Sequence, residues 1–215
     1  MLTASYTHAD NRLLWIDLNT PFNQTNFKLN YATKPLQALT EAGEAYVPNI
    51  FDDKFYIFGG SYPTGNKSSA YYQEPPEHNT GDLWSYSGLE KSWKIETSNS
   101  SKVQRIADGA GSADYIEGVI YYAQGQYNNK VVRGFPNGVL PVDGLLSLST
   151  LNPQPAWKNQ TIRSGASVIN GFLQYVPLGK RGVLIWFGGL RFPQGTFNGG
   201  EKLVSCIPAN VTSVY

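Results

Sequence analysis

The sequence predicts an all-β protein assembled from repeated four-stranded antiparallel units, and three observations predict it. Apolar runs are short and stop beside Gly, Pro, Asn or Asp, with no long stretch of helical periodicity. The chain holds 22 Gly, 13 Pro and 14 Tyr, as many short strands joined by tight turns require. Finally, landmarks recur at a period of about 64 residues, and a fixed period is the signature of a repeat architecture.

The elements follow from the repeat. Residues Tyr46–Gly60 align without a gap on Tyr175–Gly189, and Tyr115–Gly125 is a shortened copy. The closing glycines Gly60, Gly125 and Gly189 are 65 and 64 residues apart, and Trp93 and Trp157 are 64 apart. In the first full unit, one strand runs through Tyr46–Ile50 and turns at Asp52-Asp53-Lys54. A second strand, Phe55–Phe58, ends in Gly59-Gly60. A long polar loop, Ser61–Gly81, leads to a third strand at Leu83–Tyr86 and a fourth at Trp93–Glu96. The next unit supplies Val119–Tyr122, Leu145–Leu148 and Trp157. Upstream, Leu13–Leu18 and Phe27–Leu29 read as the third and fourth strands of an earlier unit. There Leu14, Ile16 and Leu18 alternate with Trp15 and Asp17, as on a strand with one better-buried face. The repeat units occupy about 11–32, 44–98, 110–162 and 172–192 within a domain of 1–200, and 201–215 reads as a tail outside the pattern.

Phe58-Gly59-Gly60 followed by Tyr86 and, after six intervening residues, Trp93 resembles the kelch motif. In the second copy Gln124-Gly125 stands for the glycine pair and Leu148 for the Tyr; the third has Gly188-Gly189. The unit length, the Tyr46-Val47-Pro48 lead-in and the Asn/Ser-rich turns resemble secreted or membrane-anchored kelch-repeat proteins of filamentous fungi, in the galactose oxidase-like central propeller superfamily. The resemblance covers residues 11–192. It implies a β-propeller in which Gly59, Gly60, Tyr86, Trp93, Gly125, Trp157, Gly188 and Gly189 shape the blades. A closed ring of four or more such blades needs upwards of roughly 260 residues. The expectation is therefore an incomplete kelch-type propeller of about three blades, whose open edges need further blades or a second chain to cover them.

Seventeen Lys and Arg against sixteen Asp and Glu leave a formal charge of +1 with no basic stripe, which argues against a nucleic-acid partner. The single cysteine, Cys206, excludes an internal disulfide framework and a CxxC zinc site. The longest apolar run, Gly182–Leu190, is too short to span a bilayer. The first residues carry neither a basic n-region nor an apolar h-region, so no signal peptide is read there. N-glycosylation sequons nevertheless start at Asn23, Asn66, Asn99 and Asn159, with another at Asn210 in the tail. With the family resemblance, they point to an extracellular or cell-surface setting.

Catalytic signatures are sparse. The resemblance to galactose oxidase-like enzymes implies a copper site with two His, two Tyr and a cross-linked Cys. Here the histidines are His8 and His78, and Cys206 lies in the tail, so no cofactor is expected; the alternative reading is a fragment of such an enzyme with its catalytic residues elsewhere. Glu74, His78 and Asp82 are spaced by four and could ligate a divalent iron. Plant kelch-type specifier proteins use a related triad in the order Glu, Asp, His, whereas this one runs Glu, His, Asp on a proline-containing loop, which favours a solvated acidic loop. Asp52-Asp53 reads as turn chemistry. The expected function is a non-catalytic interaction module for a protein or carbohydrate. Its ligand face would be the loops Ser61–Gly81 and Gln126–Asp143, with Tyr62, Tyr71, Tyr72, Arg133 and Phe135 as anchors.

Overall fold

Sheets dominate the computed structural model. It describes residues 12–193, apart from 18, 20, 22–24, 26–27, 39–41, 50, 66, 69, 71, 77–80, 98–102, 137, 153–156 and 161–165, together with a strand at Thr212–Val214. The one helical element described is a 3-10 turn at Leu36–Ala38.

Strands β1 (Arg12–Ile16) and β2 (Leu29–Thr33) form an antiparallel hairpin. The first four-stranded sheet follows in simple order: β3 (Ala42–Asn49), β4 (Lys54–Ser61), β5 (Leu83–Ser87) and β6 (Ser92–Thr97). The second contains β7 (Ala110–Asp114) and β8 (Val119–Ala123), then an inserted hairpin of β9 (Gln126–Asn128) and β10 (Val139–Pro141). It closes with β11 (Leu145–Ser149) and β12 (Lys158–Gln160), in the order β7-β8-β11-β12. Next come β13 (Ala166–Ile169), β14 (Phe172–Val176), β15 (Val183–Phe187) and β16 (Leu190–Pro193). Here β13 pairs with β16 and β14 with β15, and β17 (Thr212–Val214) adds a third strand beside β15. That pairing lies in a segment where the repeat pattern suggested no strand.

The upstream fourth strand, expected over Phe27–Leu29, runs Leu29–Thr33, and two further details differ from the sequence expectation. The first strand of the second sheet precedes Tyr115, which sits in the turn Tyr115–Gly118. On β1, the alternation does not separate a buried from an exposed face: Leu14, Trp15 and Ile16 are all exposed. The hairpin joins no further strand among the described residues, so sheet formation does not add a layer over it. Leu18 lies outside the described residues.

The glycine pairs mark the level at which each long hairpin kinks. Gly59 and Gly60 have φ of 79° and 88°, and Gly188 and Gly189 have 62° and 97°. In the second sheet Gln124 takes the first position at φ 57°, ahead of Gly125 at 117°. Residues opposite them are left-handed too: Gly43, Asp108 and Asn170, at 76°, 60° and 54°. Glycine adopts this region freely, and Asp and Asn are the L-residues that tolerate it best. The kinks carry hydrogen bonds between units. Asp108 N–H donates to Gly43 O (2.8 Å), Asn170 N–H to Asp108 O (2.8 Å) and Gly60 N–H to Ile106 O (2.9 Å).

The sheets stack face to face in chain order, with β3, β7 and β14 side by side. Between the first two lie Ala45, Val47, Tyr56, Phe58 and Leu83, against Ile120, Tyr122, Leu146 and Leu148. Between the second and third lie Ala110, Ala123 and Leu145, against Leu173, Tyr175, Leu184 and Trp186. Phe58 meets Tyr122 edge-on at 4.7 Å and Trp157 at 4.9 Å between ring centres. Leu148, standing where the motif has Tyr, is fully buried in the same layer. Tyr86 and Trp93 pair across neighbouring strands at 5.0 Å.

Candidate ligand-binding face

Both long loops leave their sheets just past the glycine kinks, so the same backbone turn sends them to one side. Ser61–Gly81 follows β4, and Gln126–Asp143 follows β8. They meet through Tyr62 N–H donating to Lys130 O at 2.8 Å and Arg133 N–H donating to Pro76 O at 3.2 Å. Arg133 Nε also donates to Pro75 O (3.1 Å), and its guanidinium lies 3.4 Å from the Glu74 carboxylate.

Beneath them runs the connector joining the first sheet to the second. Arg105, buried in this connector, donates from Nε to Gly60 O at 2.7 Å and places its guanidinium 3.9 Å from the centre of the Tyr62 ring. A desolvated guanidinium over an aromatic face is a favourable cation–π arrangement, so Tyr62 is fixed from below. The adjacent Gln104 accepts the Tyr127 hydroxyl at 2.6 Å. Next to this pair opens a cavity of about 280 Å³, whose polar wall is formed by Gln104, Gln124, Tyr127, Asp143 and Asn159. Burial pushes the Tyr127 phenol up. Nearby, burial raises the Asp108 carboxyl, an effect partly offset by the Gln126 amide that donates to it. A second hollow of about 280 Å³ lies where β3, β7 and β14 converge, between Tyr46, Ser112, Tyr115 and Phe172.

Of the anchors expected from sequence, Tyr62 and Arg133 each contact the opposite long loop. Tyr72 and Phe135 are half-buried in the same loops. Glu74 is exposed and faces Arg133, and Asp82 is half-buried just ahead of β5. Tyr71 and His78 lie outside the described residues, as do Asn23, Asn66 and Asn99. Asn159 is exposed on β12 and borders the cavity. Among the described residues no three His, Cys, Asp or Glu side chains gather as metal ligands, and no helix is long and apolar enough to cross a membrane. Sequence reasoning missed Gln104, Arg105 and Tyr127. The available signal was a charged residue between Val103 and Ile106, in a connector that the repeat motif does not cover.

No family model matches the chain, and no curated protein matches it either. Among solved structures, that of YjhT matches with a TM-score of 0.51 at 13% identity, over 95% of this chain and 46% of that one. The likeness is one of fold. This chain therefore spans about half the length of that neighbour.

Proposed function

We propose that the chain is part of a kelch-type β-propeller serving as a non-catalytic, carbohydrate-binding module at the cell surface or outside the cell. The carrying observation is the convergence of the two long loops beside a cavity walled by amides, a carboxylate and a phenol, at Gln104, Gln124, Asp143, Asn159 and Tyr127. Side chains of this kind hydrogen-bond to sugar hydroxyls, and a concave site with a few convergent polar groups is the usual form of a small-ligand site. The propeller reading is supported by the 64-residue repeat, the glycine kinks and the chain-order stacking of sheets. The sequons support the extracellular setting.

Screening the whole chain on a glycan array, then titrating the best hit by calorimetry, tests the reading. Tyr127→Ala and Asp143→Ala are each expected to weaken binding about tenfold or more, the equivalent of one well-placed polar contact. An array without a hit, or affinities that neither replacement changes, would sink the carbohydrate assignment. A mobility shift of the native protein on glycosidase treatment tests the compartment.

A further inference from the structure

The repeat allows the two faces of each sheet to be compared position by position. In the first sheet Ala45, Val47, Tyr56 and Phe58 face the second sheet and are 2–4% exposed. The 129 residues separating Gly60 from Gly189 carry these positions onto Gln174, Val176, Ile185 and Phe187 of the third sheet. There Gln174 is exposed, and the other three are only half-buried. Their strand neighbours Leu173, Tyr175, Leu184 and Trp186 are sealed against the second sheet. Phe172, 58% exposed, extends the outward face beside Phe187 at a ring distance of 6.4 Å.

At the other end of the stack, the β1–β2 hairpin sets Trp15 against Tyr86 of the first sheet at 6.2 Å. Its opposite face consists of the cross-strand pairs Leu14–Tyr31 and Ile16–Leu29, which are 37–60% exposed.

We propose that these two ends are the halves of one interface, and that a second copy of this chain fills it. Leu14, Ile16, Leu29 and Tyr31 of one copy pack on Phe172, Val176, Ile185 and Phe187 of another, head to tail. Polarity supports this pairing. At both interfaces within the chain, the forward face of one sheet receives the backward face of the next. The third sheet has its forward face free, and the hairpin its backward face. The eight residues are uncharged, and Arg12 lies over the Tyr31 ring, 5.2 Å from its centre, at the margin of the hairpin face. A pair of such contacts closes a two-fold assembly instead of growing into a filament. The contact itself rests on the observed stacking, and only its closure rests on the propeller reading.

Light scattering and sedimentation of the whole chain over a dilution series test this. The expected result is twice the chain mass, dissociating on dilution. Leu14→Asp and Ile185→Asp should each give monomer alone, while an equimolar mixture of the two recovers dimer, because each variant keeps one sound end. Gln174→Lys, at an exposed position, replaces Ile185→Asp should that variant not fold. Folded wild-type chain that stays monomeric throughout overturns the proposal. So does a dimer abolished by Ile185→Asp and untouched by Leu14→Asp, which would mean like faces pairing. The propeller reading fails separately, if an experimental structure shows the sheets stacking without turning about an axis.

Discussion

A Cβ placed on Gly59 would lie 2.2 Å from the Ile106 carbonyl oxygen, on a backbone already at φ 79°. Gly59→Ala is therefore expected to lose about 1–3 kcal/mol from backbone strain alone, with the clash adding to it. Gly88, in the turn between β5 and β6, has nothing within 4 Å of such a Cβ, and Gly88→Ala should stay within about 0.5 kcal/mol of wild type. Urea midpoints for the pair check both. Glu96 is a different kind of residue-scale device. Its carboxylate receives Lys54 Nζ at 2.7 Å, Ser85 Oγ at 2.8 Å and Lys94 Nζ at 3.2 Å. Burial alone would raise its pKa, yet these contacts together hold it below its usual value. A depressed folded pKa contributes stability above the ordinary glutamate range, and that contribution is lost as pH falls through the folded value. Glu96→Gln should therefore be about 1.5–3 kcal/mol less stable than wild type near neutrality, the range for hydrogen bonds to a charged group. The gap should narrow in acid, as urea titrations at several pH values would show. Sequence makes the glycine pair legible because left-handed backbone leaves few alternatives. The repeat also places Gln124 at a glycine position, but it does not announce that the Gln124 side chain accepts the Val168 N–H and so ties the second unit to the third.

Among the elements, β4 is the most committed: from Tyr56 to Ser61 every residue is buried. Phe58 sits between Tyr122 and Trp157, so truncating it opens the layer between two sheets at once. Phe58→Ala is expected to cost about 3–5 kcal/mol, read as a drop in thermal and urea midpoints with the sheet content of the folded state kept. Strands such as β4, β5, β8 and β11 are legible because burial selects Val, Ile, Leu and aromatic side chains for them. An outer strand such as β12, Lys158-Asn159-Gln160, is exposed throughout and carries no such pattern, so only the spacing of Trp157 hinted at it. The first strand of the second sheet, Ala110–Asp114, is built of small and polar residues, and its register was hidden for the same reason. The candidate site divides likewise. Loop length and loop aromatics pointed to Tyr62 and Arg133, but the supporting Arg105 depends on a stacking that brings a connector under a loop from the preceding sheet.

For the whole molecule, repetition made the four-stranded antiparallel units visible, because identical units solve the problem of covering two apolar faces by packing on one another. What repetition leaves unstated is which faces end the series. Those are the hairpin face of Leu14 and Tyr31 and the outward face of Ile185 and Phe187, and each becomes apparent only once the neighbouring sheets are placed. The fold thus has a direction, with a backward face at one end and a forward face at the other.

The peptide hydrogen bonds at the kinks give that direction a clock. The Asp108 and Asn170 amides belong to no strand, yet each donates to the preceding unit at 2.8 Å. Fraying of a strand does not free them; parting of two units does. Their hydrogen-exchange rates, read by NMR, should therefore be slow for bend residues and should report the opening of each inter-unit seam separately. Should both instead exchange as fast as exposed loop amides, the seams open more readily than the packing between the sheets implies.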